Sequence, residues 1–178
     1  MDCHMDPEWT LQLLYDLSMS ADEVQQAQVW RPSWDHLSVL HTMPHLRRLF
    51  LYHCYDVDAG AALPALPEGR AGLHTLRVDE LPRRPLASLL RAHGSSLHTL
   101  ILFVGTGGAG GWPHSCDDLH DLLGECRLTA LRALLLCRWG CAHDGQGCAA
   151  QRGAVRRLLP AVESVQCEVC DGVAPEPF

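Results

Sequence analysis

The stretch Leu97-His98-Thr99-Leu100-Ile101-Leu102-Phe103-Val104-Gly105 decides how this chain is read. Its leucines at 97, 100 and 102 follow an L-x-x-L-x-L spacing, and that spacing recurs. Leu46-x-x-Leu49-x-Leu51-x-x-Cys54, Leu73-x-x-Leu76-x-Val78 and Leu131-x-x-Leu134-x-Leu136 are strong copies. Val162-x-x-Val165-x-Cys167-x-x-Cys170 is a weaker one, and Val24-x-x-Ala27-x-Val29 the weakest. First positions at 24, 46, 73, 97, 131 and 162 leave steps of 22, 27, 24, 34 and 31 residues. The two longest steps read as loop insertions.

Self-similarity with a period of about 20–29 residues and this template marks a leucine-rich repeat, in which every unit supplies one strand and one helix or turn. The expectation is an α/β leucine-rich-repeat solenoid, a short horseshoe of about six repeats. Parallel strands would line its concave face and helices its convex face. Residues 1–23 read as a helical cap and connector, 24–172 as the repeat domain, and 173–178 as a tail. The prolines of that tail, Pro175 and Pro177, would blunt the sheet edge.

Length and composition fit one globular domain. The chain has 178 residues, 47% apolar and 20% charged. A net charge of −7 argues against a nucleic-acid partner, which calls for a basic face. No apolar run approaches the roughly 18 residues of a membrane span, so no membrane partner is expected. The start, Met1-Asp2-Cys3-His4-Met5-Asp6, lacks the basic and apolar regions of a signal peptide. Nine cysteines are an odd number, several at positions that suit a small buried thiol. Free thiols and a cytoplasmic or nuclear location are expected.

Along the chain, Asp6-Pro7-Glu8 opens a helix, with Trp9, Leu13, Leu14 and Leu17 on one face and residues 18–23 as connector. Pro32 stops the first strand. Ser33 starts a second helix carrying Leu37, Leu40 and Met43 inward, and Pro44 ends it. His36, His41 and His45 do not repeat on one face, so they read as convex-surface histidines rather than a metal cluster. Residues 55–72 read as an irregular connection. Residues 82–93 are an amphipathic helix with Gly94 as a left-handed stop. Ser115 is the expected start of the next helix, with Asp118 completing a capping box. Residues 151–159 form the last helix.

Residues 105–111, Gly-Thr-Gly-Gly-Ala-Gly-Gly, satisfy G-x-G-x-x-G after a strand, the text of a dinucleotide site. Trp112-Pro113-His114 separates them from the next helix, and Asp117 and Asp118 stand where a phosphate would sit. They read as a flexible loop. Cys141, His143, Cys148, Cys167 and Cys170 are candidate zinc ligands, because C-x-x-C is a common half-site. The alternatives are that Cys167 and Cys170 are inward strand positions while Cys141 and Cys148 line a loop, or that the latter two form a disulfide. The expectation is no cofactor and no metal.

Strand residues alternate between faces, so those between the template leucines line the concave surface. Arg48, Phe50, Tyr52, Arg77, Asp79, Ile101, Phe103 and Leu135 then form a candidate partner-binding face. An apolar patch with a polar rim marks an interaction surface. The competing reading has the glycine-rich insert folding over it. No arrangement of nucleophile, base and acid stands out, so the chain is not expected to be an enzyme.

The repeats, with Leu46-Arg47-Arg48-Leu49, Ser88-Leu89-Leu90-Arg91-Ala92-His93-Gly94 and Ser115-Cys116-Asp117-Asp118-Leu119-His120-Asp121-Leu122-Leu123, resemble the repeat region of F-box leucine-rich-repeat proteins. The likeness covers about residues 24–172 and points to an expanded arthropod-type group. It implies a substrate receptor of a cullin-RING (SCF-type) ubiquitin ligase, whose repeats hold a protein partner or ubiquitination substrate. An F-box is a longer helical module than the 23 residues before the first candidate strand, and no Leu-Pro start is present. The Skp adaptor would therefore be a partner only of a longer form carrying that module. The alternative is a repeat scaffold or adaptor unrelated to ubiquitin.

Overall fold

The computed structural model of the chain describes residues 1–20, 24–66 and 72–174. Six strands form one all-parallel sheet in chain order: β1 (Gln26–Trp30), β2 (Arg48–Tyr52), β3 (Thr75–Val78), β4 (Thr99–Phe103), β5 (Ala133–Cys137) and β6 (Ser164–Cys167). The helices are α1 (Pro7–Ser20), α2 (Trp34–Thr42), α3 (Arg83–His93), α4 (Leu119–Glu125), α5 (Gly145–Leu158) and α6 (Glu168–Asp171). Parallel neighbours need long crossovers, and helices fill four of the five. Between β2 and β3 the described residues hold only a single 3-10 turn, Cys54–Asp56, as the prolines there predict. The arrangement is compatible with a solenoid-like α/β fold, and none of the described helices is long and apolar enough to cross a membrane.

Register explains why the template residues recur. Ala27, Leu49, Leu76, Leu100, Leu134 and Val165 are aligned across the sheet, as are Val29, Leu51, Val78, Leu102, Leu136 and Cys167. These two rows point to one face and, apart from Cys167, meet Leu37 and Leu40 of α2, Leu86, Leu89 and Leu90 of α3, and Leu119, Leu122 and Leu123 of α4 in a continuous apolar core. Burying each such leucine contributes about 1.5–3 kcal/mol. Three strands are left by the same backbone step: Arg31, His53 and Glu80, each one position past an open-face residue, have φ of 51°, 53° and 57°.

The outer edge of β1 is closed by the first residues of the chain. Asp2 bridges Trp30, the Met1 amine donates to the Gln28 carbonyl at 2.9 Å, and Cys3 N–H donates to the Trp30 carbonyl at 2.9 Å. Helix α1 packs on α2, capped by Asp6, whose carboxylate accepts from Trp9 N–H at 3.0 Å.

Several local expectations are corrected. Thr10 and Leu14 face inward from α1, whereas Trp9 is 60% exposed. Residues 18–20 continue the helix, and residues 21–23 of the expected connector lie outside the described residues. His36 and His41 are not surface groups: both are buried, and only His45 is exposed. Gly94 is right-handed rather than left-handed. Its role is close approach, since a Cβ there would lie 2.9 Å from the carbonyl oxygens of both Cys126 and Arg127. Helix α4 starts at Leu119 with no side-chain cap, because the Ser115 hydroxyl is taken by the Gly108 carbonyl. Helix α5 begins at Gly145, six residues earlier than expected, because the Asp144 carboxylate caps Gln146 N–H and Gly147 N–H. The tail prolines lie outside the described residues.

Candidate functional site

The face of the sheet opposite the core carries the expected rows. Arg48, Thr75, Thr99, Ala133 and Ser164 are in register, and so are Phe50, Arg77, Ile101, Leu135 and Gln166. All of these except Arg77, together with Val173 and Ala174, line a groove of about 600 Å³. Hydroxyl and amide groups border it, and Ile101 and Leu135 give it an apolar floor.

Display of these residues differs from the expectation. Phe50 is 0% exposed and Ile101 6%, although neither belongs to the main core. They are supports rather than projecting anchors. Arg48 is exposed, while Tyr52, Arg77, Asp79, Phe103 and Leu135 are half-buried. A third row holds Trp30 and Tyr52 in register on one side and Phe103 and Cys137 on the other. Asp79 falls just past the end of β3, leaving a gap between them that Arg77 fills. Its guanidinium sits 4.9 Å from the Tyr52 ring centre and 5.0 Å from that of Phe103. Trp30 stacks on the other side of Tyr52, 4.7 Å between ring centres at 12°. The result is a ladder across four strands, Trp30–Tyr52–Arg77–Phe103. Trp30 was not among the expected site residues; its place one strand before Tyr52 in the third row is the signal that identifies it. Burial, then the neighbouring Glu80, raises the Asp79 carboxyl above its ordinary range.

The glycine-rich insert does not border the groove. It is tied instead to the loop before α5: Thr106 N–H donates to the Ala142 carbonyl at 2.8 Å, and Asp144 N–H to the Thr106 hydroxyl at 3.0 Å. The Asp117 carboxylate lies against Gly107, so close that a Cβ there would be 2.2 Å from Oδ1. A carboxylate in that position opposes phosphate binding.

At the same end of the strands, four of the five candidate zinc ligands converge. The ligand atoms of His143, Cys148, Cys167 and Cys170 all lie within 4.8 Å of one another. Cys170 Sγ is 3.3 Å and Cys167 Sγ 3.7 Å from His143 Nε2. Cys141 is elsewhere, facing His114 Nδ1 at 3.8 Å. Cys148 lies on α5, not in a loop, and Cys170 on α6, not in a strand. All nine cysteines are free, so the Cys141–Cys148 disulfide is not formed. Burial works to raise the Cys167 thiol, but backbone N–H groups of Cys170 and Val169 and hydrogen bonds with Arg138 and Cys148 outweigh it and hold it down at about 6. Burial and the adjoining thiols of Cys148 and Cys167 push Cys170 up to about 11.

His53, Asp79 and Glu80 form a second group of possible ligands. It is built around a surface pair, His53 Nδ1 and Glu80 Oε2 at 3.3 Å.

No family model, curated protein or solved structure matches the chain.

Proposed function

We propose that this chain is a non-enzymatic protein-binding module of the leucine-rich-repeat type, and that the open face of its sheet holds a segment of a partner protein. The observation that carries the reading is the Trp30–Tyr52–Arg77–Phe103 ladder beside the groove. Tryptophan, tyrosine and arginine dominate the energetics of protein interfaces, and here they are aligned and already ordered. Ordering side chains on binding costs about 0.5–1.5 kcal/mol each, so a ladder stacked in advance avoids part of that cost. Arg48 and Asp79 would provide polar contacts at its rim, and Leu135 an apolar one. Phe50 and Ile101 would act from beneath, fixing the heights of their neighbours.

The resemblance of the repeats to F-box leucine-rich-repeat proteins favours a ubiquitination substrate as the partner, in the cytoplasm or nucleus. A scaffold unrelated to ubiquitin is the second reading, because the groove and its ladder would hold a partner segment with or without a ligase. Affinity capture from native cells followed by probing for the Skp adaptor and a cullin separates the two. Recovery of a reproducible partner without either component would leave the scaffold. The face itself is tested with Tyr52→Asp/Phe103→Asp. The variant should stay folded and lose that partner; undiminished capture would exclude this face.

A further inference from the structure

His143, Cys148, Cys167 and Cys170 lie outside the groove lining and the aromatic ladder. Two helix starts bring them together. Asp144 caps α5, which puts His143 immediately before the cap and Cys148 four positions after it. Side chains at those two positions face each other across a helix start. Cys167 is the cap residue of α6 and Cys170 its third residue, again a facing pair. Pairing of β6 with β5 then brings the C-x-x-C turn against the start of α5.

We infer that these four side chains form a structural zinc site, with His143 Nε2 and the sulfurs of Cys148, Cys167 and Cys170 as ligands. Zinc–sulfur bonds of about 2.3 Å and zinc–nitrogen bonds of about 2.0–2.1 Å in a tetrahedron place S···S at about 3.8 Å and S···N at about 3.6 Å. The S···N separations here are 3.3 and 3.7 Å, and the whole set is within 4.8 Å. Adjustments of an ångström or less therefore bring all four to bonding distance. Three thiolates and an imidazole suit zinc by softness, and four protein ligands leave no position for a reacting water. The role is structural.

The surroundings match the charge of such a centre. Zn²⁺ with three thiolates and a neutral histidine carries one net negative charge. Arg138 is buried, its guanidinium is 3.4 Å from Cys148 Sγ, and among the described residues none of that guanidinium's contacts is a carboxylate. A buried cation needs a counter-charge, and a zinc–thiolate centre supplies it. Arg152 also acts electrostatically on Cys148 and Cys170. Asp171 holds the turn, accepting Cys167 N–H at 2.8 Å. The metal would bind the loop before α5, the first turn of α5, the end of β6 and α6 into one unit, closing the last edge of the sheet.

Protein purified without chelator, in reducing buffer, should contain about one zinc per chain by elemental mass spectrometry. After removal of the metal, Co²⁺ should give the visible bands of a tetrahedral site with thiolate charge transfer. Cys148→Ser and Cys170→Ser should each cut zinc to about a tenth or less, whereas Cys141→Ser should keep it. Cys170 is exposed, so its replacement is expected to leave the circular dichroism spectrum unchanged and decides the matter even if Cys148→Ser unfolds. Two results overturn the inference: folded wild-type protein with little zinc and no tetrahedral Co²⁺ spectrum, or a native disulfide within the cluster.

Discussion

Gly105 lies two residues past the end of β4, and its hydrogen atom is all that fits. A Cβ would stand 1.8 Å from the His114 carbonyl oxygen and 3.1 Å from that of Ala142, both main-chain atoms. Backbone cannot swing aside as a flexible side chain can. Gly105→Ala should therefore destabilise by about 3 kcal/mol, at the upper end of overpacking effects. Chemical denaturation measures it; a loss below about 1 kcal/mol would mean that the insert shifts freely. Arg77 offers a residue-scale test of the ladder. Arg77→Met keeps most of the stem and removes the charge between two rings, which is worth about 0.5–2 kcal/mol in a partly buried setting. Measured in a Tyr52→Leu background, the same change should cost clearly less. Equal losses in both backgrounds would show that guanidinium and ring do not couple.

At the scale of elements, a histidine relay joins α2, α3 and the connection between β2 and β3. Leu73 N–H donates to His93 Nδ1 at 3.0 Å. That leaves His93 Nε2–H to meet His41 Nδ1 at 3.1 Å, and His41 Nε2–H to meet the Pro64 carbonyl at 2.8 Å. Each neutral ring donates once and accepts once, which fixes both tautomers. Burial first, then the neighbouring His41, pushes His93 down to about 3; burial also lowers His41. The unfolded chain then binds more protons below about 6.5, so the relay's contribution is intact above that pH. It is lost progressively as pH falls from 6.5 toward 3, with a limiting slope of about 1.4 kcal/mol per pH unit for each ring. Urea unfolding of wild type and His93→Gln from pH 7 to 4 should show a steeper acid loss in the wild type; parallel curves would refute the relay. Strands were readable beforehand because their information is local: a leucine every second or third residue names both face and register. These histidines were not, because the partner of His41 lies 52 residues away and only packing of α2 beside α3 brings the two together. The early start of α5 was hidden for a related reason. Gly145 and Gly147 each cost about 1 kcal/mol of helix propensity, and the Asp144 cap offsets part of that. Of the candidate ligands, His143, Cys148, Cys167 and Cys170 come together and Cys141 stays apart, which spacing alone does not show because His143 and Cys148 flank a helix cap.

For the whole molecule, each strand unit touches mainly its neighbours, so stability should grade along the array. Strands β3 and β4 are paired on both sides and roofed by α3 and α4, whereas β6 pairs only with β5 among the described residues. The first edge is closed by residues 1–3, and the last depends on α5, α6 and the proposed zinc site. Native-state hydrogen exchange should find the slowest amides around Leu76 and Leu100. Removing zinc with a chelator should speed exchange in β6, α6 and the first turn of α5 by about a hundredfold, the linkage expected if the free metal had stood at about 100 times its dissociation constant. Exchange in β2 through β4 should hardly change, because those strands keep their neighbours and the main apolar core. If every amide accelerates equally, the chain opens as one cooperative unit and the metal supports all of it. If none does in zinc-loaded protein, the ion rests on the surface and the edge is held by apolar contacts and the Arg138 hydrogen bonds alone.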